Sequence, residues 1–136
     1  MRKLTFLTSI FSMIAIILEL LPNGILMLFA NPEGEPFRSY CSYFDLLPFG
    51  YADFAPLLTA ICTCGTLILS LICIIRPQKR PFTALFVFSA LALLFSLFIT
   101  LSFRRATIIN PLVSAVLLAN SIIALLLSKK AKRSKL

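Results

Sequence analysis

The chain has 136 residues, 60% of them hydrophobic and only 13% charged, with a mean hydropathy of +0.99. Soluble domains carry about 25% charged and about 45–50% apolar residues, so an ordinary soluble enzyme, a disordered regulator and a secreted disulfide scaffold are excluded, leaving a polytopic membrane protein. Lys and Arg total 13 against 5 acids, a formal charge of +8, but the bases fall in short runs between apolar stretches, as topology signals do, and no nucleic-acid partner is expected.

A bilayer's hydrocarbon is about 30 Å thick and takes about 20 apolar residues as a helix. Four segments meet that requirement and predict an all-α fold, one polytopic membrane domain over 1–136 with four transmembrane helices in an up-down bundle. The first helix is expected over about 4–29, kinked or ended where Pro22 removes a backbone donor. An outer loop over 30–53 comes next, then helices over about 54–75, 82–103 and 111–128, and a basic tail over 129–136. Pro77 and Pro81 bracket the turn between the second and third helices. Asn110-Pro111 reads as a helix start, with asparagine as the cap and proline at the first helical position. The first apolar run is too long for a signal peptide and no small-x-small cleavage site follows it, so the segment is expected to stay.

Orientation follows from the basic residues. With the N-terminus inside, the inner side holds Arg2, Lys3, Arg76, Lys79, Arg80, Lys129, Lys130, Lys132, Arg133 and Lys135; the outer side holds only Arg38, Arg104 and Arg105. Both termini are therefore expected in the cytoplasm, with the chain in the plasma (inner) membrane. The tail can attract anionic lipid at about 1 kcal/mol per basic residue, and more simply it pins the last helix.

Each helix carries a stripe of small or polar residues, the kind of face on which membrane helices associate. The stripes are Thr5, Thr8, Ser12, Ala15 and Glu19; Thr59, Cys62, Thr66, Ser70 and Cys73; Ser89, Ala92, Ser96 and Thr100; and Asn110, Ser114, Ser121, Ala124 and Ser128, with Leu117 interrupting the last. Glu19 is the most informative residue, because a carboxylate at the centre of a spanning helix costs about 2.5–3.5 kcal/mol. It lies roughly 24 Å of helix rise beyond Lys3, close enough to the outer end to pair with Arg104 or Arg105. Glu19, Asn23, Arg104 and Arg105 thus form the candidate intramembrane polar cluster.

The loop is rich in aromatic residues, which favour the headgroup level. Tyr40, Tyr43, Phe44, Asp45, Phe49 and Tyr51 make it an interfacial anchor or a candidate docking surface. Four cysteines and no histidine offer no zinc pattern, and with four glycines no phosphate loop is present. No catalytic constellation, metal or cofactor is expected.

The run Tyr43-Phe44-Asp45-Leu46-Leu47-Pro48-Phe49-Gly50-Tyr51-Ala52-Asp53-Phe54 resembles a segment of small, uncharacterised four-helix membrane proteins of Gram-positive gut-type bacteria. The likeness covers about the first 75 residues. It implies a bacterial inner-membrane protein and brings no activity with it. A weaker, architectural likeness joins the chain to the small multidrug resistance transporters, which are also short, four-helical and carry a glutamate in the first helix. The chain departs from them in its long first loop, its lack of tryptophan and the absence of a glycine motif in its third helix. The reading is a non-enzymatic multi-pass membrane protein, an accessory or interaction subunit with a membrane-protein partner or a second copy of itself. The alternative is a small proton-coupled exporter using Glu19.

Overall fold

A computed structural model describes residues 2–50, 53–76, 81–102 and 107–133. The chain is mostly helical. Helix α1 (Arg2–Leu20) leads into a hairpin of β1 (Ile25–Phe29) and β2 (Phe37–Cys41). A short helix α2 (Leu46–Gly50) comes next, and then the long helices α3 (Ala55–Ile75), α4 (Pro81–Leu101) and α5 (Ile109–Arg133). Helices α1, α3, α4 and α5 are each long and apolar enough to cross a membrane.

The first spanning segment is shorter than expected. The apolar run over 4–29 divides at Leu20, where Pro22 cannot donate to a helical ladder and Leu21 N–H closes a last tight turn on the Leu18 carbonyl at 3.3 Å. The remainder of the run forms a strand. Ile25 to Phe29 pairs antiparallel with residues 37–41, from Ile25 opposite Cys41 to Phe29 opposite Phe37. Ile25, Met27 and Cys41 are buried, in the alternation a one-sided strand requires. An Asx turn joins the strands, with Asn31 Oδ1 accepting from Glu33 N–H at 3.2 Å. The expected loop over 30–53 therefore contains a strand and a short helix. Hydropathy alone cannot tell a short buried strand from the end of a helix.

The other boundaries move less. α3 carries Pro56 in its first turn and ends before Pro77, a residue type that disfavours helix in its predecessor. α4 opens on Pro81, which suits a first helical position. α5 starts at Ile109 rather than at an Asn110 cap, and runs through Arg133 rather than stopping at 128. Most of the basic tail is consequently helix. Leu127, Ser128 and Ala131 are buried in its last turns and hold them against the other helices.

α1 packs against α3 and α5, and α4 packs against the same two. Ser9 bonds Ser70 at 2.8 Å and Glu19 bonds Thr63 at 2.8 Å, so the start of α1 lies beside the end of α3 and its end beside the start of α3. The interior has two apolar clusters. One gathers Ile25, Met27, Tyr43, Ala60, Ile99, Val113 and Leu117 near the hairpin. The other gathers Cys73, Phe82, Leu85, Ala124, Leu127 and Ala131 near the basic end. Between them, every long helix contributes buried polar groups: Ser9 and Ser12, Thr66 and Ser70, Ser89, and Asn120 and Ser121. Leu, Ile and Phe side chains such as Phe6, Ile17, Ile68, Leu94 and Phe98 face outward.

Candidate functional site

The five stripe residues of α1 are all buried, Glu19 among them. Its period follows from helix geometry, since positions three and four apart share a face. Glu19 Oε1 lies 2.8 Å from Thr63 Oγ1, whose hydroxyl also lies 2.9 Å from the Thr59 carbonyl of its own helix. A hydroxyl has one proton. If Thr63 gives it to the Thr59 carbonyl, as threonines inside helices do, the proton between Glu19 and Thr63 must come from the carboxyl. Glu19 is then a neutral donor. Among the described residues its second oxygen, Oε2, has no hydrogen-bond partner and no cation lies against it.

Immediately beside Glu19 the hairpin returns to the helices through Tyr43. The Tyr43 N–H donates to the Glu19 carbonyl at 3.0 Å, extending the hydrogen bonding of α1 beyond its end. The ring is fully buried and packs on Gly24, where an added Cβ would come within 3.0 Å of the ring. Glycine there gives the ring its close approach, and a methyl would make the ring give way by a few tenths of an ångström. The Asn110 amide, oriented to satisfy its surroundings, donates to the Gly24 carbonyl at 2.5 Å and to the Tyr43 hydroxyl at 3.1 Å, and accepts from Thr107 N–H at 3.2 Å. Thr107 Oγ1 also donates to the Gly24 carbonyl at 3.0 Å. Burial pushes the Tyr43 hydroxyl's pKa up, and the nearby Glu19 adds to this; a hydrogen bond with Ser96 works the other way. One tyrosine thus ties α1, α4 and α5 together near the hairpin.

Of the expected polar cluster, only Glu19 and Asn23 fall within the described residues, and Glu19 is buried. Asn23 is exposed in the turn after α1 and lines a surface groove with Leu26, Tyr40, Thr107, Ile108 and Ile109. Arg104 and Arg105 lie outside the described residues, as does Tyr51 of the docking loop. Of the remaining loop residues, Tyr40, Asp45 and Phe49 are exposed and Phe44 is half-buried. Asp45 Oδ2 accepts from Ser42 N–H at 2.6 Å, bracing the turn before α2, and Phe49 stacks edge-on against Phe54 with centroids 4.9 Å apart. Tyr43 belongs to the interior and not to an outward docking face.

Three further polar residues matter. Thr63 sits one position beside the expected stripe of α3, Asn110 turns its side chain inward instead of capping α5, and Asn120 Nδ2 donates to Ser12 Oγ at 3.0 Å. Asn120 Oδ1 and Ser89 Oγ are buried without partners among the described residues. The only sequence signal for Asn120 was an amide within an apolar run, which in a membrane helix calls for a partner. Among the described residues, no group of His, Cys, Asp and Glu could hold a metal ion. Four helices long and apolar enough to cross a membrane thus surround a buried carboxyl. No protein-family model matches the chain, and neither a curated protein nor a solved structure does.

Proposed function

We propose that the protein is a multi-pass component of a bacterial plasma membrane, an up-down four-helix bundle with both termini cytoplasmic and the hairpin outside. It acts without catalysis, as an accessory or interaction subunit of another membrane protein. The observation that carries this reading is the contrast between interior and surface. Tyr43 and Asn110 are buried and hydrogen-bonded to each other at the hairpin end, while the outward faces remain apolar. Large side chains such as Phe6, Ile17, Leu94 and Phe98 on those faces offer a surface to a partner helix. Native mass spectrometry of the protein, gently extracted from its own membranes, tests the reading. A reproducible heteromeric mass supports it and identifies the partner; a homodimer with no other protein overturns the accessory role.

One observation favours a second reading, a small proton-coupled exporter. Glu19 keeps an unpartnered oxygen inside the bundle, and ionisable groups within spanning helices commonly mark proton or substrate pathways. In that case Glu19→Gln abolishes substrate flux in liposomes while the protein stays folded.

A further inference from the structure

At the end opposite the hairpin, α1 and α5 border a cleft of about 730 Å³ lined by Leu4, Leu126, Lys129, Lys130, Lys132 and Arg133. Its wall is apolar at Leu4 and Leu126, and its rim holds four cations. The cations are placed by the unexpected length of α5. Because Ala131 is buried with Leu127 in the apolar cluster of the basic end, the last turns remain helical through Arg133. Leu126 is then one turn from Lys129 and Lys130, and Arg133 one turn beyond Lys129. A flexible tail would spread these charges, whereas the helix concentrates them on one opening.

No acidic side chain pairs with these charges among the described residues. All five acids fall between Glu19 and Asp53, on the final turn of α1 and in the segment joining it to α3. The C-terminal end of a helix favours cations, but it does not neutralise four of them. The site therefore combines a demand for negative charge with an apolar wall, at the end of two helices suited to crossing a bilayer.

We propose that this cleft binds one anionic phospholipid, its phosphate among Lys129, Lys130, Lys132 and Arg133 and an acyl chain along Leu4 and Leu126. The proposal rests on the membrane reading above and adds a stoichiometric lipid to it. A zwitterionic lipid carries its own ammonium into the cationic rim and is disfavoured. A soluble phosphate ester meets the charge but leaves the apolar wall unfilled.

The test is native mass spectrometry of the full chain in neutral detergent, with phosphatidylglycerol, phosphatidylcholine of the same acyl chains, or glycerol phosphate added. One retained phosphatidylglycerol is expected, at least about tenfold preferred over phosphatidylcholine, given the attraction of about 1 kcal/mol per basic residue at such surfaces. The exposed quadruple variant K129Q/K130Q/K132Q/R133Q loses the preference, and K129R/K130R/K132R keeps it. Equal retention of the two lipids overturns the proposal. So does an anionic preference that survives the quadruple variant, uptake that does not saturate at one lipid, or glycerol phosphate binding as well as the intact lipid. Alkaline extraction of native membranes separates the two readings. Release of the chain sinks the membrane assignment itself, whereas a retained chain without lipid preference sinks only this site.

Discussion

Replacing Glu19 tests whether its carboxyl is neutral and donates. Glu19 is fully buried and, among the described residues, its side chain makes one hydrogen bond, the 2.8 Å bond to Thr63. If the carboxyl is neutral and donates to Thr63, Glu19→Gln preserves both shape and bond, since the amide nitrogen donates where the carboxyl proton did. Stability should then change by less than about 0.5 kcal/mol, well under the cost of losing a buried hydrogen bond. Glu19→Ala removes the bond and leaves a void, and should cost about 1–3 kcal/mol. Thr63→Val deprives Glu19 of its acceptor, and the coupling in a Glu19→Ala/Thr63→Val cycle should fall at about 0.6–1.7 kcal/mol, as for interhelical hydrogen bonds in membranes, whereas a Glu19→Gln/Thr63→Val cycle should show almost none. Reversible unfolding in mixed detergent supplies these energies. Infrared spectra supply the protonation state directly, because Glu19→Gln should delete the carbonyl stretch of a protonated carboxyl. Loss of a carboxylate band instead would refute the neutral donor. A Gln variant stabilised by several kcal/mol would refute it too, since relief of that size comes from removing an unpaired buried charge.

Other consequences arise from single contacts. Tyr43→Phe leaves the Asn110 amide short of one partner and should destabilise by about 1–2 kcal/mol in the same unfolding assay, while Tyr40→Phe, on the exposed side of the hairpin, should be neutral. Ser89→Ala removes a buried hydroxyl that has no partner among the described residues, so it should be neutral or slightly stabilising; a loss above about 1 kcal/mol would mean that the hydroxyl is bonded. A methyl at Gly65 would come within 2.9 Å of the Phe88 ring, so Gly65→Ala should cost about 1 kcal/mol, and a Phe88→Ala background should relieve most of it. For orientation, a single cysteine at Glu35, exposed beside the hairpin turn, should react with an impermeant maleimide on intact cells. One at Arg133 should react only after permeabilisation; the reverse pattern would invert the proposed topology.

The long helices were legible because their inward faces are small and polar, and such faces repeat every three or four residues whatever surrounds them. Every residue of the expected α1 stripe is buried, as are Ser89, Ala92 and Ser96 of α4. Thr63 was missed because a stripe one residue wide describes a helix with one neighbour, and α3 packs along two long helices, α1 and α4. The hairpin was missed for a different reason. Ile25 to Phe29 is as apolar as the helix before it, and what makes it a strand is its pairing with Phe37–Cys41, a partner that hydropathy does not see. Tyr43 illustrates the same limit, because its hydroxyl meets Asn110 across 67 positions of sequence and its ring packs on the bare backbone of Gly24.

The two ends of the bundle solve opposite problems. At the hairpin end α1 runs into an irregular segment whose buried backbone polar groups need partners. Tyr43, Gly24, Thr107 and Asn110 supply those partners from within the chain. The main-chain carbonyl of Glu19 is engaged by Tyr43, and the Tyr43 ring is buried nearby. Loosening this corner by Tyr43→Phe should therefore raise both hydrogen–deuterium exchange at the end of α1 and the accessibility of Glu19. If the exchange is unchanged while stability falls, Tyr43 is a brace and not a gate, and the exporter reading gains no route to the carboxyl through this residue.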